Sequence, residues 1–228
     1  MKKDNKKIKA IFFDQDETLI HPSTGLYEEY ILERAKDFAK VYGIKDIEEA
    51  KKKAYKMKME ECDQSSILLY DKMGISRNVW YDKINNINVS KYLKKNLQVI
   101  KFLKSLIESG IKVYLLTNSP TLQTKKIFKT SGLPLKTFDE IFTWIKKQKP
   151  PKPSKEPFLK IMRKLKIKPK QIIMVGNEIF VDLKPAHDLG ITTVGINPED
   201  GPQKYIDFKI NTLEEIYEII KKLEGKIS

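Results

Sequence analysis

The sequence predicts an α/β fold: a parallel sheet with helices on both faces, plus a helical block inserted after the first strand. Three observations carry this. From residue 95 onward, short apolar runs alternate with amphipathic helical stretches, which is the pattern of a parallel sheet. One further apolar run, IKAIFF at 8–13, stands apart from the others. Between them, from 26 to about 91, the pattern is helical and contains no strand. A length of 228 residues suits a core with a smaller insertion. The expected division is a Rossmann-like core, 1–20 and 93–228, and an all-helical cap domain, 21–92.

The elements follow in order. IKAIFF reads as a buried strand by its length and its branched and aromatic content. HPSTG at 21–25 is a turn. Tyr27, Ile31, Phe38 and Tyr42 recur at helical spacing, and Gly43 ends that helix. Further helices are expected over 47–61, over 67–73 before Gly74, and around Val79, Trp80, Ile84 and Ile87. Val99 to Ile107 is a helix stopped at Gly110, and IKVYLLT at 111–117 is the second strand. SPTLQTKKIFKTSG is a helix, with Ser119 as cap, Pro120 in the first turn and Gly132 beyond the end. EIFTW at 140–144 is a short strand, 156–167 a helix and QIIMVG at 171–176 a strand. A helix at about 180–189 closes at Gly190, followed by strands TTVGI (192–196) and DFKI (207–210). The last helix opens on a capping box, Thr212 with Glu215.

Composition narrows the function classes. Forty percent hydrophobic content supplies a real core, which excludes a disordered chain. No apolar run approaches the ~20 residues that span a bilayer, and no apolar segment follows the charged MKKDNKK start, so a cytosolic protein is expected. A lone cysteine, Cys62, leaves no internal disulfide and no cysteine metal cluster, and reads as a small core residue. The net charge of +14 is nearly all lysine. Base-reading proteins favour forked arginine contacts, and only Arg34, Arg77 and Arg163 are arginines, so nucleic acid is not the expected partner. A positive field draws anionic substrates equally well.

Chemistry collects where the strands end. Ligands of open parallel sheets bind outside the carboxyl ends of the strands. The first strand ends in Asp14 and Asp16, two apart and hence on one side if the chain stays extended. The second ends in Thr117 and Asn118 before a helix start, a natural anion site. Lys152 precedes the next helix, and the fourth strand runs into GNEIFVDL with Asn177, Glu178 and Asp182. Clustered carboxylates suit a hard cation such as Mg²⁺, while a lysine, a hydroxyl and backbone donors suit phosphate oxygens. Together they point to metal-assisted phosphoryl transfer. His21 and His187 have no evident partner, and Trp80 and Trp144 read as core or interface residues.

These residues resemble the motifs of the haloacid dehalogenase-like hydrolase superfamily. DQDET (14–18) is similar to its Asp-x-Asp-x-Thr motif, LLTN ending at Thr117 and Asn118 to its second, Lys152 in KPSKEPF to its third and GNEIFVD (176–182) to its fourth. The helical insertion is similar to the cap of the phosphatase branch, and FFDQDETLIHPSTGLY resembles pyrimidine 5′-nucleotidase-like members. The resemblance implies a phosphatase acting on a small phosphorylated metabolite, with nucleoside monophosphates as one substrate class among these. Asp14 would be the nucleophile and Asp16 the general acid and base. Thr117, Asn118 and Lys152 would bind the phosphate, and Asp14, Asp16 through its carbonyl, Asp182 and Asn177 would hold Mg²⁺. Dehalogenases of this superfamily lack the second aspartate, so Asp16 favours phosphorus chemistry. Two positions depart from the pattern: Glu17 stands where glycine or asparagine is common, and Asn177 where an acid is usual.

Overall fold

A computed structural model describes residues 7–63, 65–143 and 151–225. The start of the chain, Trp144 at the end of the expected 140–144 strand, and the first half of KKQKPPKPSK lie outside the described residues. Six strands form one sheet: β1 (Ala10–Phe13), β2 (Lys112–Leu116), β3 (Glu140–Phe142), β4 (Ile172–Gly176), β5 (Thr192–Ile196) and β6 (Phe208–Ile210). Their order is β3-β2-β1-β4-β5-β6, and every neighbouring pair is parallel. The α/β Rossmann-like fold expected from the sequence is therefore present.

Strands covered on both faces must be apolar throughout rather than alternating. Every residue of β1 and β4 is buried. Ile11 and Phe13 join Val113, Leu115, Ile173 and Val175 on one face; Ala10 and Phe12 join Tyr114, Leu116, Ile172 and Met174 on the other. The first face is covered by α5 (Leu97–Glu108), α6 (Thr121–Ser131) and α9 (Ile216–Leu223). The second is covered by α7 (Glu156–Leu165) and by Ala186 of α8 (Lys184–His187).

Four helices lie between β1 and α5: α1 (Leu26–Tyr42), α2 (Ile47–Glu61), α3 (Ser66–Lys72) and α4 (Arg77–Asn86). Their starts are capped by Asp46 on α2, Ser65 on α3 and Ser76 on α4, each side chain accepting a backbone N–H that would otherwise be orphaned. Gly43 ends α1 at φ 64°, a left-handed conformation that favours glycine. The apolar interior of this block, around Tyr70, Trp80, Tyr81 and Ile84, is continuous with the cluster on the first face of the sheet.

Two expected elements differ. Ser119 does not cap α6; Pro120 is its cap residue, and the Ser119 hydroxyl is engaged by Asp16 instead. The helix expected at 180–189 is a π-helical turn, Ile179–Leu183, leading into the short α8. The histidines also have neighbours: the His21 ring accepts from Ser23 N, and the His187 ring packs edge-on against Tyr205. Among the described residues no helix is long and apolar enough to cross a membrane.

The topology fixes where a ligand sits. The chain leaves β1 toward β2 and β3, then crosses to β4 on the other side of β1. The strand order reverses around β1, so the crevice at the carboxyl ends of β2, β1 and β4 is the binding position. Phe13 pairs with both Leu115 and Val175, which brings the residues after all three strands to one level.

Candidate active site

Asp14 follows β1, and its backbone N–H donates to Val175 O at 2.9 Å, so the strand pairing carries it to the sheet edge. Its Oδ1 accepts from Lys152 Nζ at 2.7 Å. The same ammonium donates to Asp182 Oδ1 at 2.5 Å. Lys152 is 1% exposed and Asp182 0%. One ammonium thus serves two buried carboxylates. Burial pushes both acids above the usual range; Lys152 opposes that shift, and Glu178 adds to it at each. The two carboxylates together hold the ammonium in its charged form against the penalty of burial.

Each member of this triad has its own support. Asn118, at the end of β2, donates its amide to Lys152 O at 2.9 Å and accepts from Lys152 N at 3.1 Å. That reciprocal pair fixes the lysine backbone from a residue that also lines the cavity. Asp182 is turned back toward the strand by the π-helical turn, and its Oδ2 accepts from Glu178 N at 3.2 Å. Single π-turns of this kind recur at functional sites. Gly176 permits the approach, because a methyl group there would overlap the Asp182 carboxylate.

Asp16 sits apart from the lysine. Its Oδ2 accepts from Ser119 Oγ at 2.6 Å and its Oδ1 from Gln15 Nε2 at 3.1 Å. Burial, and then the charge of Asp14, push its pKa up to about 6, with the Ser119 and Gln15 bonds opposing. Thr117, buried at the end of β2, accepts from Ser119 N at 3.0 Å. Ser119 therefore binds both Thr117, at the end of β2, and the second aspartate. The sequence placed it beside Thr117 and Asn118 but suggested only a cap.

These groups share one cavity of about 70 Å³. Asp14, Asp16, Thr117, Asn118, Ser119, Asn177 and Glu178 form its floor, and Tyr27, Tyr30, Ser66, Trp80 and Ile84 of the helical block form its roof. Lys152 and Asp182 stand directly behind Asp14. Trp80 is both core and wall: it is 6% exposed and packs on Tyr70 and Tyr30.

A second lysine closes the assembly. Lys58 of α2 is 2% exposed, and its ammonium donates to Glu178 at 2.8 Å, to Tyr27 OH at 3.2 Å and to Glu199 at 3.4 Å. It ties the roof to the loops after β4 and β5. Its signal in the sequence is faint: Ala50, Ala54 and Lys58 are the buried residues of an otherwise charged helix, spaced four apart.

The donors also bear on a metal ion. Among the described residues no three His, Cys, Asp or Glu side chains form a ready cage. Mg²⁺ does not need one, since it commonly keeps several waters and takes one or two carboxylates. Asn177 is 4% exposed; its amide N–H donates to Glu17 at 3.2 Å, and its Oδ1 is buried without a partner. A buried, unpaired carbonyl oxygen is costly unless a cation or water meets it. Glu17, at φ 55°, is pushed up to about 7 by burial and then by Glu199, Glu178 and Asp16. An oxygen-only donor set with an excess of acid fits a hard divalent cation.

The comparisons with known proteins agree with this geometry. The profile described as haloacid dehalogenase-like hydrolase matches residues 8–190. A glyceraldehyde 3-phosphate phosphatase of Methanocaldococcus jannaschii is 28% identical over 234 residues, covering 95% of this chain and 99% of that protein. The crystal structure of a phosphatase from Thermococcus onnurineus superposes with a TM-score of 0.63 at 23% identity, covering 93% of this chain and 98% of that one. A chain described as a predicted phosphoglycolate phosphatase from Haemophilus somnus gives a TM-score of 0.59 at 22% identity, covering 93% and 97%. The profile match takes in all four strand-end clusters, and the chain belongs to the haloacid dehalogenase-like hydrolases.

Proposed function

We propose that the protein is a Mg²⁺-dependent phosphatase of this family acting on a compact phosphomonoester, with residues 21–92 as its cap and 1–20 with 93–228 as its core. The observation that carries the reading is the pair of aspartates in one cavity held in different environments. Asp14 lies against an ammonium, whereas Asp16 receives only neutral donors and has a pKa near 6. Nucleophile and general acid need opposite protonation states, and environments that push two carboxyls apart supply them.

In this reading Asp14 attacks phosphorus and the bond to the leaving oxygen breaks. Asp16 gives its proton to that oxygen. Water then attacks the phosphorus of the aspartyl-phosphate, Asp16 takes a proton from it, and the Asp14–phosphorus bond breaks to release phosphate. Thr117 and Lys152 bind phosphoryl oxygens, with Asn118 holding Lys152 in place. Hydrolases of this family generally use Mg²⁺. Asp14, the carbonyl of Asp16, Asn177 and Asp182 would hold it, and it would offset the charge on the phosphoryl oxygens. The roof excludes water from the phosphoryl group while the covalent bond exists.

The cavity bears on substrate size. Pockets for drug-sized ligands span about 300 Å³ or more, against about 70 Å³ here. A nucleoside monophosphate, the substrate class suggested by nucleotidase-like members, needs a more open roof than a two- or three-carbon ester.

Asp16 gives a direct test. Asp16→Asn should lower turnover of an alkyl phosphate by about 10²–10⁴-fold, because the poor leaving oxygen needs the proton. For an aryl phosphate, whose leaving oxygen departs as an anion, the effect on the first step should be much smaller. Equal losses on both esters, measured in a pre-steady-state burst, would remove Asp16 from the acid role.

Asn177 gives a second test and separates turnover from mere binding. Asn177→Asp restores a charge beside its orphaned oxygen, and Mg²⁺ should bind about tenfold tighter. The measurement is the rise in Tm on titration with Mg²⁺, followed alongside phosphate release. Tighter binding with higher turnover supports the phosphatase, and tighter binding without turnover supports a member that only binds phosphorylated ligands. An unchanged Mg²⁺ titration would place the metal away from Asn177.

A further inference from the structure

We infer that the roof carries a second anion-binding subsite, built from Arg34 and Ser66, and that the substrate's leaving group bears a carboxylate or phosphate of its own. This rests on the phosphatase reading for the word substrate, but the subsite itself stands on separate observations.

Arg34 sits where a core residue is expected. Tyr30, Arg34 and Phe38 are spaced four apart on α1, and all three are buried. Arginine is almost never fully buried unless paired, yet Arg34 is 4% exposed and makes no ion pair among the described residues. Of the nearby carboxylates, Asp37 accepts from Tyr70 OH at 2.6 Å and lies 2.7 Å from Lys83, while Glu199, 3.4 Å from Lys58, lines a second small cavity with Arg34 but makes no ion pair with it among the described residues. What holds the guanidinium is aromatic. It lies 5.9 Å from the Tyr27 ring centre and 5.7 Å from that of Trp80. Such contacts stabilise a cation without neutralising it.

Its hydrogen bond points toward the site. Arg34 Nη1 donates to Ser66 Oγ at 2.6 Å. Ser66, Tyr27 and Trp80 all line the cavity that holds Asp14 and Asp16. A hydroxyl that accepts from a guanidinium still has its own proton to donate, and the cation behind it makes that donation stronger. The roof thus presents a charge-backed donor opposite the phosphoryl position, between two aromatic walls. With a neutral leaving group this cation has only Glu199, beyond ion-pair distance, as a counter-charge, whereas a carboxylate or phosphate would supply one on the side of the catalytic cavity.

The test compares three small substrates of wild type: 2-phosphoglycolate, with a carboxylate in the leaving group; pyrophosphate, with a phosphate; and 2-hydroxyethyl phosphate, with neither. The ratio of kcat/KM for the better anionic substrate over the neutral one should exceed about tenfold, the size of a charge-assisted hydrogen bond. Which anionic substrate leads identifies the second group. Arg34→Met should reduce the ratio by about tenfold or more, mainly through KM, and Arg34→Lys should recover part of it. Ser66→Ala, which removes a single oxygen at a helix start, should lower the same ratio and keeps the test open if Arg34→Met fails to fold. Calorimetric binding of 2-phosphoglycolate and 2-hydroxyethyl phosphate to Asp14→Asn needs no turnover. Selective binding there, lost with Arg34→Met, upholds the subsite even if the wild type hydrolyses nothing, in which case only the phosphatase reading fails. A wild type that treats charged and neutral leaving groups alike, or variants that lower all three substrates equally, overturns it.

Discussion

Asp14→Asn should lower phosphate release by about 10⁴-fold or more, the scale seen when a covalent nucleophile is removed from a working site. The amide is neutral, poorly nucleophilic and unable to form the acyl-phosphate. The fold should survive. Lys152 keeps Asp182 at 2.5 Å, so the variant leaves a single buried ion pair in place of one ammonium between two acids. Asp14 is itself held above its usual pKa by burial, so the charge removed is one that the folded state bears at a cost. Thermal unfolding should therefore shift little while turnover collapses, and the two measurements on one preparation separate a chemical loss from a structural one. A variant retaining more than a few percent of the wild-type rate would mean that water, and not Asp14, attacks phosphorus.

How much of this was legible in the sequence depends on range. Strand ends were readable, because a fully buried parallel strand is a short apolar run and the polar residues that follow it stand out. That located Asp14, Asp16, Thr117, Asn177 and Asp182, Lys152 stood out at the start of the next helix, and the structure brings these six to one crevice or directly behind it. Their partners were not readable. Ser119 looked like a helix cap because Ser-Pro before a helical pattern usually is one, and only the approach of α6 to the loop after β1 turns its hydroxyl to Asp16. Asn118 stood out as a ligand for substrate, and its pairing with the backbone of a residue 34 positions away was not visible. Lys58 and Arg34 were hidden by composition. In a chain with 44 lysines and arginines, a buried cation resembles every solvated one until its helix is docked. The helical block itself was legible, but which of its residues face the sheet was not, since that face depends on how the four helices pack.

Lys152→Met is the change expected to cost the most stability. Breaking a buried pair by removing one partner typically costs about 3–5 kcal/mol, because the other charge is left uncompensated. Here two carboxylates lose the same ammonium, both buried and both already above their usual pKa. The pH dependence follows from the sign of those shifts. An acid whose folded pKa is raised binds more protons when folded, so stability is greatest where it is protonated in both states. That stability is lost as pH rises from about 4, the unfolded value, through the folded one. Removing Lys152 takes away the influence that opposes the rise, so the variant's window extends to higher pH than the wild type's. Thermal denaturation from pH 5 to pH 8 should show the gap between variant and wild type widening with pH. Methionine fills a similar volume, so a packing defect alone would give a gap that does not change across that range. A pH-independent gap would show that the two carboxylates are already neutral beside Lys152, which would leave Asp14 without the charge its attack on phosphorus requires.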